Sequence, residues 1–557
     1  MTSHLTRILL GALLLVAPLS AQVDRSQLPF DATADLAIVA DGRLKPIDTF
    51  ANEVLLQVSG RRVKQTDGVT ALEYLWGLQF APDDYLARPY IKVDNNDLKG
   101  LMGLDRETRR FSFGELAGNA QLSQQASAGF DKSQADAAVS AIERDAMRVW
   151  NKLGLIDQVV KGTVVEIVPI IGPNQEWSPA SVLADAAAGT PEAAAQARYE
   201  ELRRAFLAGD AAGFGAAAEG LKGALRGLGS ELYPPQEKMD LEVRYNNWDT
   251  FGKASWLYLA GFLAILAFAR AANRTGYGIG YALVALGFVG HSVGFGMRWM
   301  IAGRAPVSDM YESLVFMGWG VIGIGLVLEL VYRKGYFGMA AGALGFLALA
   351  FARYLPPTVM NSAISPLMPV LRNTSWLSIH VMTIMLSYSA FALAMGIGHI
   401  VMFKQLYQPG RTAQLKTLST LLYKTVQVGV LFLAAGIAFG AIWANESWGR
   451  YWGWDPKETW SAITFAVYLA VIHARYAGWI HNFGLAATSI ASFMAVLFTY
   501  YGVNFVLGAG LHAYGRGSGG KWAVAAYLLI ELAIVLLAWW RYQVGIRTGR
   551  IARPVED

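Results

Sequence analysis

His380 and His512 stand on either side of a segment that carries five tryptophans: Trp443-Ala-Asn-Glu-Ser-Trp448-Gly-Arg-Tyr-Trp452-Gly-Trp454-Asp455-Pro456-Lys457-Glu458-Thr-Trp460. An aromatic belt at a membrane interface ordinarily places one or two rings at each helix end, whereas this segment gathers rings, two glycines and a sharp helix start together. Such a surface suits a guest that is flat, large and apolar. An iron macrocycle such as haem would be one guest of that kind: its iron accepts an imidazole on each face, and a buried histidine pair would hold it between two helices. A lone histidine at a helix end is ordinarily explained by a local hydrogen bond. The pair and the aromatic loop together favour ligation.

The residues around this pair have readings of their own. Trp376 and His380 are four apart, on one face of a helix. Asp455-Pro456-Lys457-Glu458 reads as a helix start, with Asp at the N-cap, Pro at N1 and Glu at N3 returning a bond to the cap. Capping alone would explain Asp455. Trp448, Trp452 and Trp454 are not explained as caps or core, because glycines punctuate the loop and let a planar ligand approach the backbone. A haem would also need cations for its propionates, and Arg298, Arg304, Arg372, Arg450 and Lys457 are all on offer without a sequence reason to choose. Of the seven histidines, His4 lies in the leader, while His291 and His481 have no supporting constellation.

The elements that must position these groups belong to a membrane. Of 557 residues 54% are hydrophobic and 16% charged, against roughly 25% charged in an ordinary soluble domain. Nine apolar spans follow one another: Trp256–Ala271, Tyr277–Met297, Tyr311–Tyr332, Phe337–Arg353, Trp376–Phe403, Tyr423–Trp443, Trp460–Ala477, Phe483–Leu507 and Trp522–Tyr542. Each is near the length a helix needs to cross a bilayer. Residues 1–22 hold Arg7, a short apolar run and Ala17-Pro-Leu-Ser-Ala21, the layout of a signal peptide or, alternatively, a retained anchor. Either puts the next segment outside the cytoplasm. Alternation then makes the inner loops basic, with Arg270 and Arg274, Arg333 and Lys334, Lys404, Arg411 and Lys416, Arg475, and a tail carrying Arg541, Arg547, Arg550 and Arg553. The same alternation puts the tryptophan loop outside.

The outer segment, 23–250, is polar. Ile38 to Ser59 predicts a strand, a turn at Asp41-Gly42 and a helix from about Asp48; Val164 to Ile171 predicts another strand. Ser127 to Gly227 is rich in Ala, Glu, Arg and Gly at helical spacing, consistent with a packed helical domain or with mobile surface helices. Glu231-Leu-Tyr-Pro-Pro ends it. The expected fold is therefore mainly α: a polytopic transmembrane bundle (251–545, with the loop at 443–460), an N-terminal extracytoplasmic, mainly helical domain, and a cytoplasmic tail at 546–557. The absence of cysteine excludes disulfides, thiolate metal sites and a cysteine nucleophile. The net charge of +5 gives no reason to expect nucleic acid.

The WGRYWGWDPKETW string resembles the tryptophan-rich WWD motif of cytochrome c biogenesis proteins that handle haem. From Trp256 to Tyr542 the chain resembles the CcsA/ResC-type subunit of the system II cytochrome c synthase. The resemblance implies that His380 and His512 are the two external ligands of haem b iron. It makes His473, in Ile472-His473-Ala474-Arg475, an inner ligand whose mate comes from a companion CcsB/ResB subunit. Gly303-Arg304-Ala305-Pro306-Val307-Ser308-Asp309-Met310-Tyr311-Glu312-Ser313-Leu314 matches a further family motif, with Arg304 where a histidine is expected, so Arg304 receives no ligand role. Gly42 to Ala51 also resembles long-form members.

The implied activity is that of a holocytochrome-c synthase subunit in the inner membrane. Haem would enter at His473, move outward and be held by His380 and His512, with its vinyl edge along Trp443, Trp448, Trp452, Trp454 and Trp460. Thiols of an apocytochrome c CXXCH motif would attack there. Asp455 is expected to serve the reaction beside the two outer histidines. His399 is close to the expected depth of His473 and is either a further inner group or a packed histidine bonded to a carbonyl. A haem exporter or a system I-type haem handler without ligase activity is the alternative, and a scaffold of a respiratory complex would explain the tryptophans but not the two histidines.

Overall fold

This computed structural model describes residues 23–60, 65–66, 68–135, 137–170, 176–270, 274–355, 359–367, 375–508, 512 and 520–552. The expected leader, Arg372 and Arg553 lie outside them. The chain divides into two compact units, one of Met1–Ala40 with Leu44–Pro235, the other of Asp41–Arg43 with Gln236–Asp557.

Along the chain, Asp41 and Gly42 both take positive φ (52° and 75°) and turn strand Ala37–Ala40 back into a second strand, Arg43–Pro46. The sequence pattern predicts one strand there, because the second carries Arg43 and Lys45. These strands join Glu166–Pro169 and Trp177–Pro179 in a four-stranded sheet, ordered Arg43–Pro46, Ala37–Ala40, Glu166–Pro169, Trp177–Pro179. Helix Ile47–Ser59 begins one residue before the expected Asp48.

The Ala-rich stretches are packed rather than loose. Helix Ala141–Val160 starts with a Ser140–Glu143 capping box and buries Ala146, Val149, Leu153, Ile156 and Val159 along one stripe. Helix Ala211–Leu228, capped by Asp210, buries Phe214, Leu221 and Leu225 completely. Phe30 lies edge-on to Phe214 at 5.5 Å, and Trp76 donates its indole N–H to Thr33 Oγ1 at 2.9 Å. Small alanines let these helices approach closely, and the aromatic rings fill the remaining space.

The second unit is a multi-pass helical bundle. Gln236–Trp248 and Thr250–Arg270 meet at Asp249, which has φ 43° and whose carboxylate takes the Arg353 guanidinium at 2.5 Å. Then come Arg274–Ala302, Met310–Tyr332, Tyr336–Tyr354, Ser375–Tyr407, Thr412–Trp448, Pro456–Tyr476, Asn482–Leu497 and Lys521–Arg547. Among the described residues eight helices are long and apolar enough to cross a membrane. The helix over the expected seventh span, Trp460–Ala477, is Pro456–Tyr476; it has 21 residues but falls short in apolarity, since Lys457, Glu458, His473 and Arg475 occupy its ends. Several helices overrun the apolar stretches that revealed them. Thr412–Trp448 runs for 37 residues against the expected Tyr423–Trp443, because hydropathy marks only the apolar part of a helix.

Buried charge in this unit is gathered into knots. Glu329 accepts Tyr277 Oη at 2.8 Å and the backbone N–H groups of Gly335, Phe337 and Gly338 at 2.6, 3.1 and 3.2 Å, closing the hairpin between Met310–Tyr332 and Tyr336–Tyr354. Glu312 has no exposed side chain and binds Arg298 at 2.9 Å and Arg304 at 2.9 Å. It also accepts the backbone and hydroxyl of Ser308 at 3.0 and 2.8 Å. Arg298 spends its remaining donors on Ser362 O, Ala363 O and Tyr245 Oη. The Gly303–Leu314 motif is thus built around one carboxylate that ties a loop and two helices.

Breaking a buried pair by removing one partner strands the other charge and costs about 3–5 kcal/mol. Glu312→Ala should accordingly lower the denaturation midpoint and the folded yield of the detergent-solubilised chain, and replacing Arg298 by an apolar residue in the same background should recover part of the loss.

Candidate functional site

His380 and His512 line one chamber of about 1040 Å³, just above the ~300–1,000 Å³ typical of ligand pockets. His380 lies on Ser375–Tyr407, and its ring reaches helix Thr412–Trp448, where Nδ1 is 2.8 Å from Gly436 O. A carbonyl only accepts, so Nδ1 carries the proton. His512 Nδ1 is 3.0 Å from Asp455 Oδ1 and donates to that carboxylate. In both rings this leaves Nε2 with its lone pair, and no described residue bonds to either Nε2. Tying the far nitrogen to a carbonyl or carboxylate is how proteins fix the tautomer and orientation of a metal-ligating imidazole.

Glycines permit the first arrangement. A Cβ at Gly440 would come within 2.5 Å of His380 Cε1, and one at Gly436 within 2.6 Å of Ile384 Cδ1. One face of Thr412–Trp448 is therefore shaved so that the imidazole can lie against the helix. Sequence reading passed over these glycines, although their spacing of four on one span was the available signal.

Asp455 does three things at once. Its Oδ1 accepts the backbone N–H of Lys457 at 2.9 Å, it forms a capping box with Glu458, and it holds His512. Glu458 returns Oε2 to the N–H groups of Asp455 and Gly453 at 3.2 and 2.7 Å, which folds the loop onto the helix start. The loop holds strain at Trp454, a non-glycine residue at φ 57°.

The five tryptophans have different surroundings. Trp443 is 1% exposed and lies parallel to His380 (centroids 6.2 Å, 8°), while His512 is edge-on to it at 5.5 Å. Its indole N–H has no partner among the described residues. Trp452 also lines the chamber, as does Tyr451. Trp448 packs behind, 4.9 Å from His512 and 4.7 Å from Trp443. Trp460 packs on Phe498 at 4.1 Å, and Trp454 is 74% exposed, crossed by Trp452 at 5.8 Å. Neither Trp448, Trp454 nor Trp460 belongs to the described chamber wall.

A further part of the chamber wall comes from residues that sequence reading did not single out. Asn482–Leu497 continues as a π-helical stretch, Phe498–Leu507, whose Thr499, Tyr500, Asn504 and Phe505 face the chamber. Such wide turns are rare and concentrate at functional sites. Tyr500 Oη is 2.9 Å from Ser313 Oγ and donates to Met310 O at 3.1 Å, joining this stretch to the Glu312 knot. Asp309, the N-cap of Met310–Tyr332, lines the chamber too, and burial, reinforced by the Glu312 charge, pushes its carboxyl up to about 7.

The remaining histidines lie elsewhere. His473 is exposed on the flank of the chain, with Nδ1 2.7 Å from Leu469 O. His399 is bonded to Met395 O as one reading had it, and Nε2 additionally meets Glu531 at 3.0 Å. His291 is buried against Tyr258 Oη at 3.1 Å. Trp376 packs on Phe439 at 6.0 Å.

Residues 307–512 match a family model described as cytochrome C assembly protein. Cytochrome c biogenesis protein CcsA of Synechococcus sp. (strain CC9605) is 34% identical over 294 residues, which cover 46% of this chain and 95% of that protein. The chain belongs to the CcsA-type cytochrome c biogenesis family. CcsA of Prochlorococcus marinus (strain MIT 9312) is 38% identical over 247 residues, covering 39% of this chain and 78% of the relative. Protein NrfI of Wolinella succinogenes is 29% identical over 505 residues; the match takes in 86% of this chain, so it extends into the N-terminal unit, yet this chain spans only 53% of NrfI. Among solved structures, a chain of cytochrome c heme lyase CcmF aligns with a TM-score of 0.39 at 16% identity over 52% of this chain and 50% of its own.

The close approach at Gly440 gives a direct test of the His380 geometry. Gly440→Ala should destabilise the chain by about 1–3 kcal/mol, the usual cost of overpacking. In a His380→Ala background the same change should be neutral or stabilising, because the ring it strikes is gone; a double-mutant cycle of denaturation midpoints reads the coupling.

Proposed function

We propose that this protein binds haem between His380 and His512 and presents it to apocytochrome c for thioether formation, as a holocytochrome-c synthase subunit of system II. The observation that carries the proposal is the pair of imidazoles in one chamber, each held by Nδ1 and each leaving Nε2 for iron. The orphan indole N–H of Trp443 and the apolar wall of Ile384, Met385 and Ile437 also suit a large planar guest with a few polar groups.

In this reading each cysteine thiol adds across a vinyl group: sulfur bonds to the inner vinyl carbon and the thiol hydrogen ends on the terminal one, so atoms and electrons balance without an oxidant. The haem and the cysteines supply that chemistry. The chain supplies alignment, with His380 and His512 fixing the plane while Trp443 and Trp452 flank it. Asp455 acts through His512 as a positioning residue. The substrate's own histidine replaces one outer ligand when product leaves.

His473 is the inner haem ligand in this proposal. Its exposure on the flank supports a mate from a second membrane subunit of CcsB/ResB type. In this proposal Pro456–Tyr476 also crosses the membrane, so that the tryptophan loop and the N-terminal unit face the periplasm and the C-terminal tail the cytoplasm of a bacterial inner membrane, an orientation that the basic loops support. The leader at 1–22 directs that orientation, and the outer unit docks apocytochrome c or the companion subunit.

The detergent-purified chain should show a bis-histidine haem spectrum. His380→Ala or His512→Ala should weaken haem affinity at least about tenfold and alter the spectrum, and the double variant should abolish it. Asp455→Ser keeps a capping residue but is too short to hold His512; loss of such a supporting partner typically weakens metal binding by roughly 10–100-fold. A wild-type chain that takes up no haem, even with the companion subunit present, would overturn the reading. Covalent transfer to an apocytochrome separates a synthase from an exporter.

A further inference from the structure

We propose that Lys457 sets which way round haem sits in the chamber, by pairing with a propionate and so turning the vinyl edge toward the opposite side. The inference rests on the haem reading above and adds an orientation to it. A haem has its two carboxylates on one edge and its two vinyl groups away from them. An anionic edge brought into an apolar chamber needs a cation whose charge is not already taken.

The described cations near the chamber can be compared one by one. Arg298 is buried and saturated by Glu312, Ser362 O, Ala363 O and Tyr245. Arg304 is held by Glu312 and Ser365 O. Arg450 faces Glu458 at 3.5 Å and lies over the Trp448 ring at 5.7 Å. Lys457 makes no ion pair among the described residues, although two acids are its near neighbours in sequence. Both acids are occupied: Asp455 by His512 and the helix N-terminus, Glu458 by Arg450, Gly453 N and Asp455 N.

Lys457 is also pre-positioned. Its Nζ donates to Asn504 Oδ1 at 3.0 Å, and Asn504 is itself anchored by Nδ2 to Tyr500 O at 3.0 Å in the π-helical stretch. Lys457 and Asn504 both line the chamber. An ammonium has three donors, so a carboxylate can be added without displacing Asn504. A second, independent feature points to an acceptor on the guest: the buried Trp443 N–H, at the lining of the same chamber, has no partner among the described residues and can only donate.

The test compares ferric haem with its dimethyl ester, which keeps the ring, iron and vinyl groups but has no carboxylate. Full-length wild type should bind haem about tenfold more tightly than the ester. Lys457→Gln should lose that preference by weakening haem alone, with ester affinity unchanged as its own control for folding, and Lys457→Arg should restore most of it. If wild type does not discriminate, or if Lys457→Gln keeps the wild-type ratio, the Lys457 assignment is overturned while the haem site stands. If wild type binds neither compound, the haem reading itself fails. The wild-type comparison needs no variant, so the proposal remains exposed even if Lys457→Gln does not fold.

Discussion

Asp455 is the joint on which the site turns. Its carboxylate caps Pro456–Tyr476, and through the reciprocal Glu458 contact it fixes the end of the tryptophan loop. The same carboxylate aims His512. A cap is ordinarily worth about 1 kcal/mol to a helix. Here that modest local preference is coupled to the direction in which an imidazole points. His380 is held by a different device, a backbone carbonyl reached across a glycine-shaved face. Two rings are thus presented to one chamber by two unrelated local solutions.

Charge in the bundle is organised by neutralisation. Glu312 and Glu329 are both nearly fully buried, and each collects several donors from different elements. A group of this kind is costly in an apolar interior unless every oxygen is met. Because Arg298 and, within the Gly303–Leu314 motif, Arg304 are consumed in that way, they serve the frame of the chamber. Arg304, which replaces an expected histidine, is a strut between Glu312 and Ser365 O.

The multi-pass helical character was legible because apolar runs are local and long, and the tryptophan loop with Asp455 was legible because a capping box is read from four consecutive residues. Pro456–Tyr476 shows the limit of hydropathy: a helix can have spanning length and still carry polar ends. Other features depend on partners distant in sequence. Arg298 finds Glu312 14 residues away and Ser362 O 64 residues away, and Glu531 reaches His399 across 132 residues. No period in the sequence announces such pairs. The five tryptophans look equivalent as a string, yet Trp443 is buried between two histidines while Trp454 is 74% exposed, a difference made by the positive φ and the fold of the loop.

The π-helical stretch gives chain length a meaning of its own. An α-helix would close its turns with fewer residues, so Phe498–Leu507 holds surplus chain that rotates the residues beyond it relative to a regular continuation of Asn482–Leu497. Loss of one residue there would let the segment relax to α geometry and swing the later positions by about 100°, the angle between neighbours on a helix. A deletion that removed no contacting side chain would still misdirect Asn504 and the residues beyond it. Evolution can therefore tune this wall by insertion and deletion as well as by substitution, and a relative that differs by one residue in this stretch should be compared by turn geometry before its side chains are matched.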